Sequence, residues 1–310
     1  MYLVTGVGGQ LASLAADEIL NLVPANQLIF TASDINRIDP RNLNRWKDKG
    51  VEIRQLNYDQ PEQMVEALSG VERMLLVSTW EIGPTRRKQH ENAINAAKEA
   101  GVKYLSYTSF IGAEIADDTP LIASDHRDAE HKIMASGLDW NFIRNSLYVD
   151  NLFQLFPALT TNMGNTWRNN TGGVKSAYVA RQDCANVAAA VLAGKGEPGK
   201  AYEVTGSDLY SEKEIFDMIS AHTGWSAEYI EMTDDQLYAF WDGLGVPREV
   251  TGDFSKSPVP FCSDDFVQNG ASLRAGHFTR VTDIVEKLTG RKPLTPEEVM
   301  LKYESVLPRP

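Results

Sequence analysis

A doubly wound parallel α/β sheet with a smaller α+β unit after it is the fold this sequence predicts. Two observations carry that expectation. Short apolar runs alternate with segments of helical periodicity from Tyr2 to Thr108. Those runs are also near-continuously apolar, as strands buried on both faces must be. Strands separated by single helices read as βαβ units, and their crossovers make the sheet parallel.

Tyr2-Leu3-Val4-Thr5 opens the series and runs into glycines, and Leu11 to Leu22 then repeats apolar residues at helical spacing. Gln27 to Ala32, Val51 to Leu56, Arg73 to Ser78 and Val102 to Thr108 are the next four runs. Pro61 to Leu68, with Gly70 just past its end, reads as a helix between them, as does Glu91 to Ala100 with Gly101 in the same place. Proline suits a first helical turn, and glycine the left-handed residue beyond the last.

Past residue 145 the pattern loosens. Leu152 to Gly173 reads as a helix and then a loop, Asp183 to Leu192 as an Ala/Val-rich helix and Ala201 to Thr205 as a strand. Ser211-Glu212-Lys213-Glu214 and Thr295-Pro296-Glu297-Glu298 match capping boxes, in which the first and fourth side chains bond each other's main-chain N–H. Val246 to Gly276 carries Pro247, Pro258 and Pro260 and reads as a long irregular segment, with 247–276 a candidate lid. The expected division places 1–150, with 175–206 returning to it, in a first domain. Residues 151–174 and 207–310 form a second.

The 310 residues hold 30 Lys and Arg against 42 Asp and Glu, a formal charge of −12. That balance argues against nucleic acid and against an anionic membrane, because phosphate binding needs clustered positive charge. Cys184 and Cys262 stand far apart with no Cys-x-x-Cys, so no disulfide framework is expected. No histidine–carboxylate cluster has metal spacing, so no metal is expected either. The expectation is a soluble, cytoplasmic protein, a monomer or homodimer.

The first chemical signal is Gly6-Val7-Gly8-Gly9-Gln10-Leu11-Ala12, which follows a strand and opens a helix. Glycines there let main chain approach a pyrophosphate, whose charge rests on the helix N-terminus. On the first βα turn of a parallel alternation, the pattern points to a Rossmann-type dinucleotide site. The second run ends in Ser33-Asp34. An acid at that place accepts from the adenosine ribose and repels a 2′-phosphate, which leans NAD(P)H towards NADH. Arg37 bears the other way, since its guanidinium suits a phosphate.

Residues 3–12, LVTGVGGQLA, resemble the opening of the NmrA-like, atypical short-chain dehydrogenase/reductases, in particular the quinone oxidoreductase and triphenylmethane reductase branch. The likeness continues through Val23-Pro24-Ala25, Asn57-Tyr58, Gln89 to Lys103, Tyr107-Thr108-Ser109, Ile143-Arg144-Asn145 with Tyr148, Gly270-Ala271-Ser272 and Lys287-Leu288-Thr289-Gly290. It implies a dinucleotide-binding domain and a smaller C-terminal substrate domain closing a cleft over the nicotinamide. Carried over by position, it places Gly6, Gly9 and Gln10, with Leu11 beside them, at the pyrophosphate. Asn57 and Tyr58 fall near the adenine, and Ser78, Thr79, Thr108 and Ser109 near the ribose and nicotinamide. Two departures stand out. Many members end the second strand in Val-Arg-Asn where this chain has Ser33-Asp34, and a lysine of a related enzyme is His131 here, with Lys132 beside it.

Typical short-chain dehydrogenases use Tyr-x-x-x-Lys, in which lysine lowers the tyrosine pKa for proton transfer. No tyrosine here has lysine four residues later. Either the acceptor needs little proton help, as a quinone or conjugated cation would, or another group supplies it. His126 and Glu130, four apart on one helix face, are the candidates, with the carboxylate orienting the imidazole and holding it protonated. A helix-surface ion pair is the alternative. Tyr148 is a further candidate donor. Trp80, Trp167 and Phe254 are candidate walls for a small aromatic substrate. The leading reading is a hydride-transferring reductase of quinone-like compounds. Beside it stand a reductase of phenolic ethers or enones and a non-catalytic NAD(P)-sensing regulator.

Overall fold

The computed structural model describes residues 1–115, 121–251 and 253–310. Seven parallel strands form one sheet in the order β3-β2-β1-β4-β5-β6-β8. They are β1 (Tyr2–Val4), β2 (Leu28–Ala32), β3 (Glu52–Gln55), β4 (Arg73–Leu76), β5 (Tyr104–Phe110), β6 (Asp139–Asn145) and β8 (Lys200–Val204). The order reverses between β1 and β4, where each strand leaves in the opposite direction and a crevice opens at the carboxyl ends. Crossover helices α1 (Gln10–Ile19), α2 (Pro40–Asp48), α3 (Pro61–Ala67), α4 (Pro84–Glu99) and α5 (Leu121–Ser136) link the strands. After them come α6 (Val149–Asn162), β7 (Thr166–Asn169) and α7 (Arg181–Ala190).

Two apolar layers hold the sheet. On one face Ala12, Ala15 and Ala16 of α1 meet Ala185, Ala188 and Ala189 of α7, with Phe30 and Trp46 closing the end. Alanine on both helices allows the close approach, and Ala12 is the small residue that the glycine turn needs for helix–strand packing. On the other face Met64, Ala93, Ala97 and Ile133 cover Leu3, Met74 and Leu105. A third cluster, separate from the sheet, joins Phe153, Trp167, Ile215, Phe216 and Trp225 with Met300 near the C-terminus.

The C-terminal elements are α8 (Glu212–Thr223), β9 (Glu228–Glu231), α9 (Asp234–Gly243), α10 (Ser263–Arg274), α11 (Ile284–Thr289) and α12 (Pro296–Lys302). Both expected capping boxes form, at Ser211 and at Thr295, and Thr233 with Gln236 makes another. Three expectations need correction. The loop expected before Gly173 contains β7, which pairs in parallel with β9. The helix expected from Glu91 begins at Pro84. The segment expected to be irregular to Gly276 is helical over α10, so the candidate lid shortens to the stretch before Ser263, of which Gly252 lies outside the described residues. Gly270 lets α10 dock: a Cβ there would overlap the Asn170 side chain, whose Nδ2 donates to the Val267 carbonyl. That contact brings Asp265 and Asn269 over the carboxyl ends of the strands.

Candidate active site

One cavity of about 930 Å³ follows the carboxyl edge of the sheet from the β1–α1 turn to α5 and α10. Its first end is main chain. Gly6 takes a φ of +68°, which glycine adopts without the Cβ clash that other residues meet. Gly9 N–H donates to the Gly6 carbonyl at 2.8 Å and closes the turn. Gly9 also caps α1 without any side-chain cap, so the first N–H groups of the helix are left for a ligand. Gly6, Gly9, Gln10 and Leu11 all line the cavity here.

At the end of β2, Ser33, Asp34 and Arg37 line the same wall. Asp34 accepts from the main-chain N–H of Asn36 at 2.9 Å, which fixes the carboxylate at the start of a short turn. Asn57 and Tyr58 also line it, but the Tyr58 hydroxyl faces inward. It donates to Thr5 Oγ1 at 2.6 Å and lies 3.1 Å from the Val77 carbonyl, bracing β1 against the loop after β4.

That loop is strapped from several sides. Ser78 N–H donates to Thr108 Oγ1 at 2.8 Å, Thr79 N–H to His90 Nε2 at 3.2 Å, and Arg86 Nη2 to the Thr79 carbonyl at 2.8 Å. Asp125 accepts from Gly83 N–H and from Arg87 Nε, both at 2.6 Å, which ties the loop to α5. Ser78, Thr79 and Ser109 line the cavity; Thr108 is buried behind it as the acceptor for Ser78.

The far end is side chain. Trp80, 71% exposed, stands at the mouth, and Phe110, Ile122 and His126 form the inner wall. The His126 ring stacks on Phe110 at 6.1 Å between centroids, and its Nδ1 lies 2.7 Å from the Tyr107 hydroxyl. Burial, with the Arg86 charge next, holds the His126 pKa well below the usual histidine range, so the ring is neutral. Burial pushes Asp265, across the cavity, up to about 6. Tyr148 also lines the wall, and its hydroxyl accepts from Asn145 Nδ2 at 3.0 Å. Burial raises its pKa, so it gives up a proton reluctantly.

Several expected roles are corrected by this geometry. Glu130 does not orient His126 and does not line the cavity. Its carboxylate accepts from Ser109 Oγ at 2.6 Å and from Arg144 at 2.9 and 2.6 Å, because the strand ends offer it a cation and a hydroxyl. The expected protonated imidazole is therefore a neutral one held by a tyrosine. Trp167 is fully buried in the C-terminal cluster with its indole N–H on Glu212 at 3.2 Å, and it does not line the cavity. Phe254 lies on the irregular stretch before α10 and is not part of the cavity wall. Lys132 pairs with Asp128 at 2.9 Å, and His131 is exposed.

Residues 8–195 match the model of a family described as NAD(P)H-binding. Quinone oxidoreductase 2 of Escherichia coli is 31% identical over 260 residues, covering 84% of this chain and 87% of that one. The chain belongs to the NAD(P)H-binding, NmrA-like family. The NADPH complex of an Escherichia coli quinone oxidoreductase superposes with a TM-score of 0.82 at 26% identity, covering 99% of this chain and 100% of that one. The Citrobacter triphenylmethane reductase complexed with NADP(H) gives 0.80 at 26%, covering 97% and 99%. This NmrA-like protein is an NAD(P)H-dependent oxidoreductase, and the glycine turn, the uncapped α1 and the acid after β2 fit the dinucleotide.

His90, Arg86, Asp265 and Asn269 were not singled out as site residues from the sequence. A signal existed for two of them. Arg86, Gln89, His90, Ala93, Ile94 and Ala97 form one buried stripe of α4, so polar side chains continue an apolar helix face towards the cavity. Asp265 and Asn269 gave no such sign, because only the docking of α10 brings them near the sheet.

Proposed function

We propose that this reductase passes a hydride to a flat, conjugated acceptor of the quinone class. The observation that carries the reading is the continuity of one cavity: it joins the glycine turn to a wall of Trp80, Phe110, Ile122 and neutral His126. The dinucleotide supplies the hydride when bound. The chain supplies position and polarity. Main chain from Gly6 to Leu11 would hold the pyrophosphate, and Ser33 and Asp34 the adenosine ribose. Phe110 and Ile122 keep water from the acceptor face, which strengthens each polar contact there. His126 donates a hydrogen bond to the acceptor oxygen, where negative charge develops, and the final proton comes from solvent. A quinone-like acceptor needs no stronger acid, which agrees with the absence of Tyr-x-x-x-Lys. The relatives named quinone oxidoreductase, azoreductase and triphenylmethane reductase support an aromatic, electron-poor acceptor.

For the cofactor, Asp34 on the cavity wall supports NADH, with Arg37 on the same wall as the group that would suit a 2′-phosphate. Residues 1–150 and 175–206 form the cofactor part of this arrangement, with the remainder, including Asp265 and Asn269, closing over the acceptor.

Two measurements test the reading. Dinucleotide oxidation is followed with simple quinones against phenolic benzylic ethers; turnover of the ethers alone, or of neither, defeats the acceptor class. NADH and NADPH are then titrated against wild type and Asp34→Arg. Preference of the wild type for NADH, shifted towards NADPH by the variant, is expected. Wild-type preference for NADPH would defeat the cofactor lean.

A further inference from the structure

The ring nitrogens of two histidines can be assigned by following donors inward from one main-chain group. Thr79 N–H donates to His90 Nε2, so that nitrogen carries no proton. His90 is fully buried, and desolvation with the nearby Arg86 and Lys132 charges brings its pKa down to about 3. A neutral imidazole has one proton, so it sits on Nδ1, which faces the Tyr107 hydroxyl at 3.3 Å. Tyr107 accepts there and has one proton of its own to give. Its side chain is fully buried, and the other partner of its hydroxyl among the described residues is His126 Nδ1, at 2.7 Å. If His126 carried its proton on Nδ1, the tyrosine proton would be left buried without an acceptor, which costs about 1–3 kcal/mol. Tyr107 therefore donates to His126 Nδ1. The His126 proton falls on Nε2, which has no partner among the described residues.

We infer that the Thr79 main-chain N–H fixes the tautomer of His126 through His90 and Tyr107, so that His126 meets an acceptor only as a hydrogen-bond donor from Nε2. His90 and Tyr107 are positioning residues in this scheme, since neither touches the acceptor. The site then selects acceptors with a lone pair at the reacting end, such as a carbonyl oxygen. It disfavours a group that can only donate, such as an ammonium, in the same place. The groups bearing on His126 are Tyr107 of β5 and Arg86 and His90 of α4, and burial, with the Arg86 charge next, keeps the ring neutral. The catalytic consequence rests on the proposed function; the tautomer assignment does not.

Long-range proton–nitrogen correlation on protein labelled with 15N-histidine reads each ring directly at pH 7. Opposite tautomers are expected, Nδ1–H at His90 and Nε2–H at His126. A proton on Nδ1 of His126, or a charged His126 ring, overturns the inference. Tyr107→Phe should release His126 into a mixture of tautomers and lower kcat roughly 10- to 100-fold, the range for lost partners that orient metal-binding histidines. KM and dinucleotide Kd should move less than about twofold. Because a buried substitution can fail to fold, His90→Leu and His90→Gln form a second pair. Glutamine can accept from Thr79 and donate to Tyr107, and with leucine Tyr107 keeps His126 Nδ1 as its acceptor, so both should preserve the His126 signature. An unchanged His126 signature in Tyr107→Phe, or a proton on Nδ1 of His126 in His90→Gln, overturns the relay. A wild type that reduces no quinone, yet shows the expected tautomers, defeats the proposed acceptor while the relay stands.

Discussion

At the glycine-turn end of the cavity the wall is main chain, shaped by one positive φ at Gly6 and by the open first turn of α1. At the opposite end the wall is side chain, with Phe110, Ile122 and His126 held from behind by Tyr107. The first end recognises through groups that every residue carries, so its chemistry is set by backbone shape. The second recognises through particular atoms, so single substitutions there change the chemistry directly. Binding and turnover should therefore fail separately when the two ends are altered.

The largest separation is expected from His126→Leu. It removes the donor proposed for the acceptor oxygen and keeps an apolar side chain against Phe110. Loss of one preorganised donor lowers turnover by about 10²–10³-fold. Dinucleotide affinity should stay within about twofold, as titration of the variant would show. Because burial keeps the wild-type ring neutral, kcat should also lack a titration limb near pH 6.5. A limb there that vanishes in His126→Leu would break the comparison, since the residue would then act as the protonated acid.

Gly6→Ala tests the main-chain end and should have the next largest effect. A Cβ on Gly6 would meet nothing within 4 Å, so the cost is conformational rather than steric crowding. Holding alanine at that φ costs about 1–2 kcal/mol. If the turn keeps its shape, the cost appears as a lower Tm. If the turn opens, it appears as a dinucleotide affinity weakened roughly 5- to 30-fold. A variant unchanged in both would show that the turn does not depend on glycine.

The sheet was legible because its signals are local: apolar runs, glycines after helices and prolines before them. The glycine turn was legible for the same reason, since a βα turn is contiguous in sequence. The reactive end was read through the wrong partner. Spacing of four on α5 suggested that Glu130 serves His126, but spacing places side chains on a face and does not choose their bonds. Arg144 and Ser109, on neighbouring strands, capture the carboxylate, and Tyr107 of β5 takes the imidazole. Trp167 and Phe254 are candidates by residue type alone. The burial of Trp167 beside Glu212 depends on β7, α6 and α8 meeting, which no local pattern records.

Glu212 supplies a control remote from both ends. It is buried, and burial raises its carboxyl from 4.5 to about 7, with the Trp167 indole N–H opposing. A carboxyl whose folded pKa lies above its unfolded one binds more protons when folded. Stability should therefore fall as pH rises from about 4.5 to about 7 and level off above that. In Glu212→Gln this slope should flatten, with Tm raised relative to wild type at pH 8 and quinone turnover unchanged. Equal Tm–pH curves for the two proteins would exclude Glu212 as the source.

The smallest effect is expected at the mouth. Trp80 lines the cavity but is 71% exposed, so a flat acceptor covers only part of its ring. An aromatic contact of that kind contributes about 0.5–1.5 kcal/mol. Trp80→Ala should raise KM for a quinone roughly 2- to 10-fold and leave kcat nearly unchanged, the pattern of an interaction made equally before and during reaction. A fall in kcat with KM unchanged would place Trp80 against the reacting atoms, and the side-chain end would then extend from the inner wall to the mouth.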